Sequence, residues 1–396
     1  MRILYVNSHL SRLDSEAGTW GRLLVRELRR AGAEVATFPA QPLEGAPLRG
    51  GGGRALGTLK RRLGGYLRRD QALFLVEYYL FARGMARNVL NVWRVWRRRR
   101  ELRCDVVLAR THEYEWAPLL ISRLLKRPLV LEVHAPFYVE RQLRGHGYSR
   151  LLRWFECVQW RRAAHIWVFS ARVKELLSDG DVPPARINVI AHGIRLDQFD
   201  RSGPRRIGCG ARVVFVGSFY PWHGVDSLLE AFAKARERVG DLRLCLIGDG
   251  IARSECERKA AALNVAEAVE FTGWLPLEQV MVRLHDSDIG VAPYLWLDEF
   301  YFEPVKILEY MGAGLVTVAS EQGLIGDMLE HGKCGTLVPP EDVPALADAL
   351  VDLALNPDKC KALGQAARAR IAEHYAWTTT ARRVLSLCED AAAGRA

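Results

Sequence analysis

The eight cysteines (Cys104, Cys157, Cys209, Cys245, Cys256, Cys334, Cys360 and Cys388) include no C-x-x-C pair. That absence removes the usual zinc-ligand spacing, and scattered cysteines in a chain of 396 residues read as reduced and structural, in a cytosolic setting. Nor is there an apolar run of the ~18 residues that a membrane-crossing helix needs. The opening MRILYVNSHL has one Arg before a short apolar stretch, and no small-residue cleavage site follows, so it reads as a buried strand rather than a leader. The positive charge is concentrated in one segment. From Arg54 to Arg100 there are thirteen Lys and Arg against Asp70 and Glu77, while the whole chain carries +10, so the rest is close to neutral. A nucleic-acid-binding surface would spread its charge more widely, and no nucleic-acid partner is expected. The basic stretch is interleaved with Leu, Phe, Tyr and Trp, which fits peripheral contact with an anionic membrane at the inner face.

Apolar content of 49% and charged content of 26% are those of an ordinary globular protein, and 396 residues exceed what one core usually serves. Two domains are therefore expected. The pattern supports a doubly wound α/β architecture: strand Arg2–Asn7, a polar loop Ser8–Gly18, a helix Thr19–Ala31 and a strand Glu34–Phe38. Further strands are predicted at Val106–Ala109, Leu129–Val133, His165–Phe169 and Asn188–Ile190. The same opening recurs with strand Arg212–Val216, loop Gly217–Gly224 and helix Val225–Arg238. Strands follow at Leu242–Ile247, Ala268–Thr272, Ile289–Ala292, Leu315–Ala319 and Gly335–Val338. Two tandem Rossmann-like halves result, with a break near Asp200–Ala211 and an Ala-rich helical end from Pro344. The boundaries are set at 1–204, 205–375 and 376–396.

The stretch Phe300–Gly314 is the most informative. Pro304 stands where a helix would start, and Gly312 and Gly314 where it would stop. Between them Lys306 and Glu309 are lone charges in an apolar run with Ile307, Leu308 and Met311, and burying them is costly without partners. A helix start attracts phosphate. A Glu one turn further on could accept ribose hydroxyls, so the pattern points to a nucleoside-diphosphate site.

Gly217-Ser218-Phe-Tyr-Pro-Trp-His223-Gly224 offers backbone N–H groups to a diphosphate, with His223 adding a proton or a charge. Gly248-Asp-Gly250 permits close approach of a ligand, and Trp274 could lie beside a base. In the first half, Gly18 and Thr19 could let a substrate approach the first helix. His112, His134 and His192 each follow a predicted strand, where open α/β sheets bind ligands. Asp179-Gly-Asp181 and Asp286-Ser-Asp288 read as capping rather than metal sites.

These residues together resemble the retaining GT-B glycosyltransferases of family 4. The resemblance is carried by Gly18, Leu131-Glu-Val-His134, Asn188-Val-Ile-Ala-His-Gly193, Val216-Gly-Ser218, Ile247-Gly-Asp-Gly250, Phe271-Thr-Gly-Trp-Leu275 and Pro304–Gly314. It implies two Rossmann-like domains facing across a cleft, the first binding acceptor and the second the nucleotide-sugar, with a final helix crossing back to the first. Glu309 would hold the ribose. Glu303, Pro304 and Val305, with Lys306 and neighbouring Ile307, would follow the sugar and diphosphate, and Trp274 would border the base. His134 would face the transferred sugar, and no metal or other cofactor would be needed. A UDP-sugar is the favoured donor and GDP-mannose the next. The acceptor would be a hydroxyl or amine of a glycan, a lipid-linked sugar or a small molecule, in polysaccharide or glycoconjugate biosynthesis. This chain departs from the family pattern at Tyr301, which stands where the first acid of Glu-x7-Glu is usual. It departs again at Ser218 and His223, where Arg and Lys are common. The rival readings are an altered protein that binds nucleotide-sugar without transfer, and an epimerase or phosphorylase on the same architecture.

Overall fold

The structure is a computed structural model that describes residues 1–8, 10, 16–38, 69–143, 149–180, 182–199 and 212–395. It divides into two units, Met1–Ala191 with Thr380–Ala396, and His192–Thr379. The predicted break at Asp200–Ala211 and the stretch from Arg54 to Arg68 lie outside the described residues.

The first unit holds β1 (Arg2–Val6), β2 (Glu34–Phe38), β3 (Val106–Arg110), β4 (Leu129–Val133), β5 (His165–Val168) and β6 (Ile187–Val189) in the order β2-β1-β3-β4-β5-β6. Every pairing is parallel. All five residues of β4 are buried, as expected of a parallel strand covered on both faces, yet one of them is Glu132. The first helix spans Glu16–Arg30, so Gly18 lies inside its first turn rather than in the loop before it. Glu16 and Ala17 are good helix formers and carry the helix back past the glycine. A helix of 30 residues, Arg69–Arg98, follows the basic segment's glycines. The C-terminal region is three helices, Val343–Leu355, Pro357–His374 and Trp377–Ala392, broken where Pro357 and Trp377 begin new ones. The last of them belongs mostly to the first unit: Thr380 Oγ1 donates to the Ala191 carbonyl at 3.2 Å, Arg383 donates to the Val189 carbonyl at 3.2 Å, and His165 Nε2 donates to the Arg395 carbonyl at 2.8 Å.

The second unit holds β7 (Arg212–Val216), β8 (Arg243–Ile247), β9 (Val269–Gly273), β10 (Ile289–Ala292), β11 (Val316–Ser320) and β12 (Thr336–Val338) in the order β12-β11-β10-β7-β8-β9, again parallel. Counted from its own first strand, this is the Rossmann order. The strand order reverses between β7 and β10, and ligands of such sheets bind outside the carboxyl ends there. In the first unit the reversal falls between β1 and β3. Asp288 of the second D-x-D accepts the Arg212 backbone N–H at 2.8 Å and so fixes the start of β7, a structural role. Asp179 closes the helix Ala171–Ser178; Asp181 lies outside the described residues.

Candidate active site

Three glycines shape the end of the second unit's sheet. Gly217 has φ +147° and Gly248 φ +134°, and a Cβ on Gly248 would sit 2.0 Å from the Gly217 carbonyl oxygen. A Cβ on Gly250 would meet the Phe219 backbone at 2.7 Å. The two loops therefore lie one on the other with no room for side chains. Gly248→Ala should cost about 3 kcal/mol of stability, from a strained φ and a backbone clash together. Urea unfolding measures this, and an unchanged midpoint would contradict the packing.

Lys306 comes to the same place from the helix Val305–Gly312. Tyr310 bolts that helix to the sheet: its hydroxyl accepts the Val216 N–H at 2.8 Å and donates to the Val291 carbonyl at 3.3 Å, joining β7 to β10. One turn earlier, the Lys306 ammonium is carried to the switch point. It lies 4.2 Å from the Phe215 ring centroid and 4.9 Å from that of Tyr294, and a Cβ on Gly217 would stand 2.8 Å from its Nζ. The residue is 8% exposed, and its Nζ has no hydrogen-bond partner among the described residues. Burial lowers its pKa to about 7, against a smaller upward pull from Glu309. The aromatic faces offset part of the desolvation.

His223 does not supply the charge that its position led us to expect. Its Nδ1 donates to the Ser218 carbonyl, and burial, then Lys306, pushes its pKa down to about 3. The ring is neutral, with Nε2 left as the titratable nitrogen; its face meets Tyr294 edge-on at 5.3 Å. Ser218 is half-buried beside it.

Glu303 is buried and engaged. Its Oε2 accepts both the His192 backbone N–H at 2.8 Å and the His192 Nδ1 at 2.6 Å. The two residues thus form one group in the second unit, which holds the turn ahead of buried Pro304 and half-exposed Val305. Tyr301 is buried against Phe302 at 5.6 Å. Ile307 is fully buried in the core, Glu309 is half-buried, and Trp274 is 67% exposed.

In the first unit the carboxyl strand ends converge on Glu132. Tyr5 Oη donates to its Oε2 at 3.1 Å, His134 Nε2 donates to its Oε1 at 2.6 Å, and Arg110 lies 3.6 Å from Oε1. Burial alone would raise this carboxyl's pKa, but His134 and Arg110 outweigh it and hold it below the usual carboxylate value. Asn7 donates to Tyr5 Oη at 3.1 Å, and its Oδ1 accepts from His112 Nε2 at 3.2 Å, at the reversal between β1 and β3. His112 and His134 are thus two ends of one chain through Asn7, Tyr5 and Glu132. Sequence reading missed Asn7, Tyr5 and Glu132. The signal was there in Glu132, a lone charge in an apolar strand. Gly18 and Thr19 lie in the first turn of the first helix, which begins at Glu16. Among the described residues no group of three His, Cys, Asp or Glu could hold a metal ion.

Comparison with known proteins gives the class. Residues 18–198 match the model of Glycosyltransferase Family 4, and residues 210–356 that of Glycosyl transferases group 1. The chain belongs to this family of glycosyltransferases. It is similar to alpha-D-kanosaminyltransferase of Streptomyces kanamyceticus, 28% identical over 76% of this chain and 80% of that protein. It is 31% identical to a GDP-mannose-dependent alpha-(1-6)-phosphatidylinositol monomannoside mannosyltransferase of Mycolicibacterium smegmatis, over 52% of this chain and 56% of that one. The chain therefore spans little more than half the length of that mannosyltransferase. Among solved structures, sucrose-phosphate synthase of Thermosynechococcus elongatus superposes with a TM-score of 0.69 at 19% identity, covering 98% of this chain and 99% of that one. Anabaena HepE, solved with UDP, gives 0.68 at 17% identity, covering 98% and 100%. Both place the fold in the GT-B class.

Proposed function

We propose that this protein transfers a sugar, with retention at the anomeric carbon, from a nucleoside-diphosphate donor to a hydroxyl or amine of a glycan, a lipid-linked or a small-molecule acceptor. The second unit takes the donor and the first the acceptor. The observation that carries the reading is the buried Lys306 ammonium, without an acceptor among the described residues, under two glycine loops at the sheet's switch point. A UDP-sugar is the first choice of donor and GDP-mannose the second. The similarity to HepE solved with UDP favours the first, and that to a GDP-mannose-dependent enzyme keeps the second.

In this reading the diphosphate lies over Gly217 and Gly248, with Lys306 and the loop N–H groups stabilising the charge that builds as the glycosidic bond breaks. Glu309 accepts the ribose hydroxyls, and Trp274 borders the base. His134, held by Glu132, presents its upstream backbone and ring to the transferred sugar. The acceptor enters from the same face and its proton passes to the departing phosphate oxygen, so no protein nucleophile and no metal is required. Gly18, Thr19 and His112 serve the acceptor, and the His192–Glu303 pair holds the donor turn.

A thermal-shift screen with UDP-, GDP- and dTDP-sugars tests the donor. One nucleotide class should raise the melting temperature by several degrees. The matched donor, incubated with an acceptor panel, should yield a product with the donor's anomeric configuration by NMR. No shift with any of the three would defeat the proposal.

A further inference from the structure

Two neighbouring hollows in the first unit share a wall, and neither is part of the site above. One is an apolar groove of about 410 Å³ between the helices Arg69–Arg98 and Ala117–Leu125, with Val89, Val92, Trp93, Trp96, Leu120 and Leu124 in its lining. The polar groups of Asn88 and Trp116 in that lining are already used. Asn88 donates to the Tyr114 carbonyl at 2.9 Å and accepts the N–H groups of Trp116 and Ala117 at 2.9 and 3.0 Å, and Trp116 Nε1 donates to the Phe155 carbonyl at 2.9 Å. The groove offers a ligand no hydrogen bond. Yet Val89 is 71% exposed, and Trp93 and Trp96 each 48%.

The second hollow, about 450 Å³, is ringed by Arg2, Arg99, Arg103 and Arg127, and Leu124 lines it too. Asp105 pairs with Arg2 at 2.7 Å. Arg99 lies over the Trp96 ring at 4.7 Å and donates to the Trp96 carbonyl. Arg103 and Arg127 make no side-chain ion pair or hydrogen bond with the described residues. A strip with no polar groups to offer thus runs into a basin with surplus positive charge.

We propose that this composite surface seats an anionic phospholipid of a membrane face, its phosphate among Arg99, Arg103 and Arg127 and its acyl chain along Trp93 and Trp96. The charge complementarity is direct, and tryptophans beside arginines suit the boundary between headgroups and hydrocarbon. A second copy docking through the same patch would set arginine against arginine, because a two-fold contact is self-complementary. Position separates this seat from catalysis. Arg2, Arg103 and Arg127 stand at the amino ends of β1, β3 and β4, whereas Asn7, His112 and His134 follow their carboxyl ends. A five-residue strand is about 16 Å long, so the lipid held here anchors the protein and is not the reacting acceptor.

Flotation of the full-length protein on phosphatidylcholine vesicles with and without phosphatidylglycerol tests the proposal. Binding should require the anionic lipid, survive excess inorganic phosphate in solution, and shift tryptophan emission to the blue. Arg103→Gln with Arg127→Gln should weaken partitioning roughly 30-fold, about tenfold or less per charge. Trp93→Ala with Trp96→Ala should weaken it too and remove the blue shift. Turnover of a soluble acceptor should stay unchanged in both variants, which also reports that they fold. Equal binding to both vesicle types, undiminished binding of the arginine variant, or a dimer that the tryptophan variant dissolves would each overturn it.

Discussion

Lys306→Met should lower kcat/KM for the sugar donor by about 10²–10³ and yet make the protein more resistant to heat. The two effects have one cause. The ammonium is buried between Phe215 and Tyr294 with no hydrogen-bond acceptor among the described residues, so it costs the fold stability, and in the proposed reading it serves only when an anion arrives. Methionine fills the same space without the charge. The sign of the pH dependence follows. Lys306 has a folded pKa lowered to about 7 from the ordinary lysine value of 10.5, so between these values the unfolded chain binds the extra proton. Its penalty is full below pH 7 and fades as pH rises toward 10.5, so stability through this group rises across that window. The melting temperature of Lys306→Met should therefore exceed that of the parent most at pH 6 and converge with it at high pH. Donor kcat/KM should move the other way, falling above pH 7 as free enzyme loses the proton. A variant that is less stable at pH 6 and turns over normally would remove Lys306 from the site.

Glu309→Gln tests the ribose contact through the same lysine. Losing charge-assisted hydrogen bonds to two hydroxyls should raise donor KM by about 10²-fold, with a small change in stability because the side chain is half-buried. Glu309 also holds the Lys306 pKa up. In Glu309→Gln the alkaline fall of donor kcat/KM should begin at lower pH than in the parent. A residue that only packed the helix would change stability and leave that pH profile in place.

Much of the fold was readable because buried parallel strands are continuous apolar runs. Arg212–Val216 and Ile289–Ala292 have the bounds that their patterns predict, and the glycines at 217, 248 and 250 announced tight loops after β7 and β8. The lone charges Lys306 and Glu309 were legible for a related reason, since a charge inside an apolar helical run needs a purpose. What the sequence could not reveal was pairing at long range. Glu132 meets Tyr5 across 127 positions, and Glu303 meets His192 across 111. Nothing local marks either partner. The neutrality of His223 was hidden too, because desolvation depends on what covers the ring. Gly18 fell inside a helix because its neighbours outweigh its own low propensity.

In the proposed reading Lys306 and the two glycine loops grip a diphosphate. Calorimetric titration of UDP and GDP, each against its nucleoside, into the parent protein and Lys306→Met is the most direct test. One nucleotide should bind the parent at least 100-fold more tightly than its nucleoside does, and Lys306→Met should erase most of that difference while still binding the nucleoside. Equal affinity of parent and variant for the diphosphate would contradict the account.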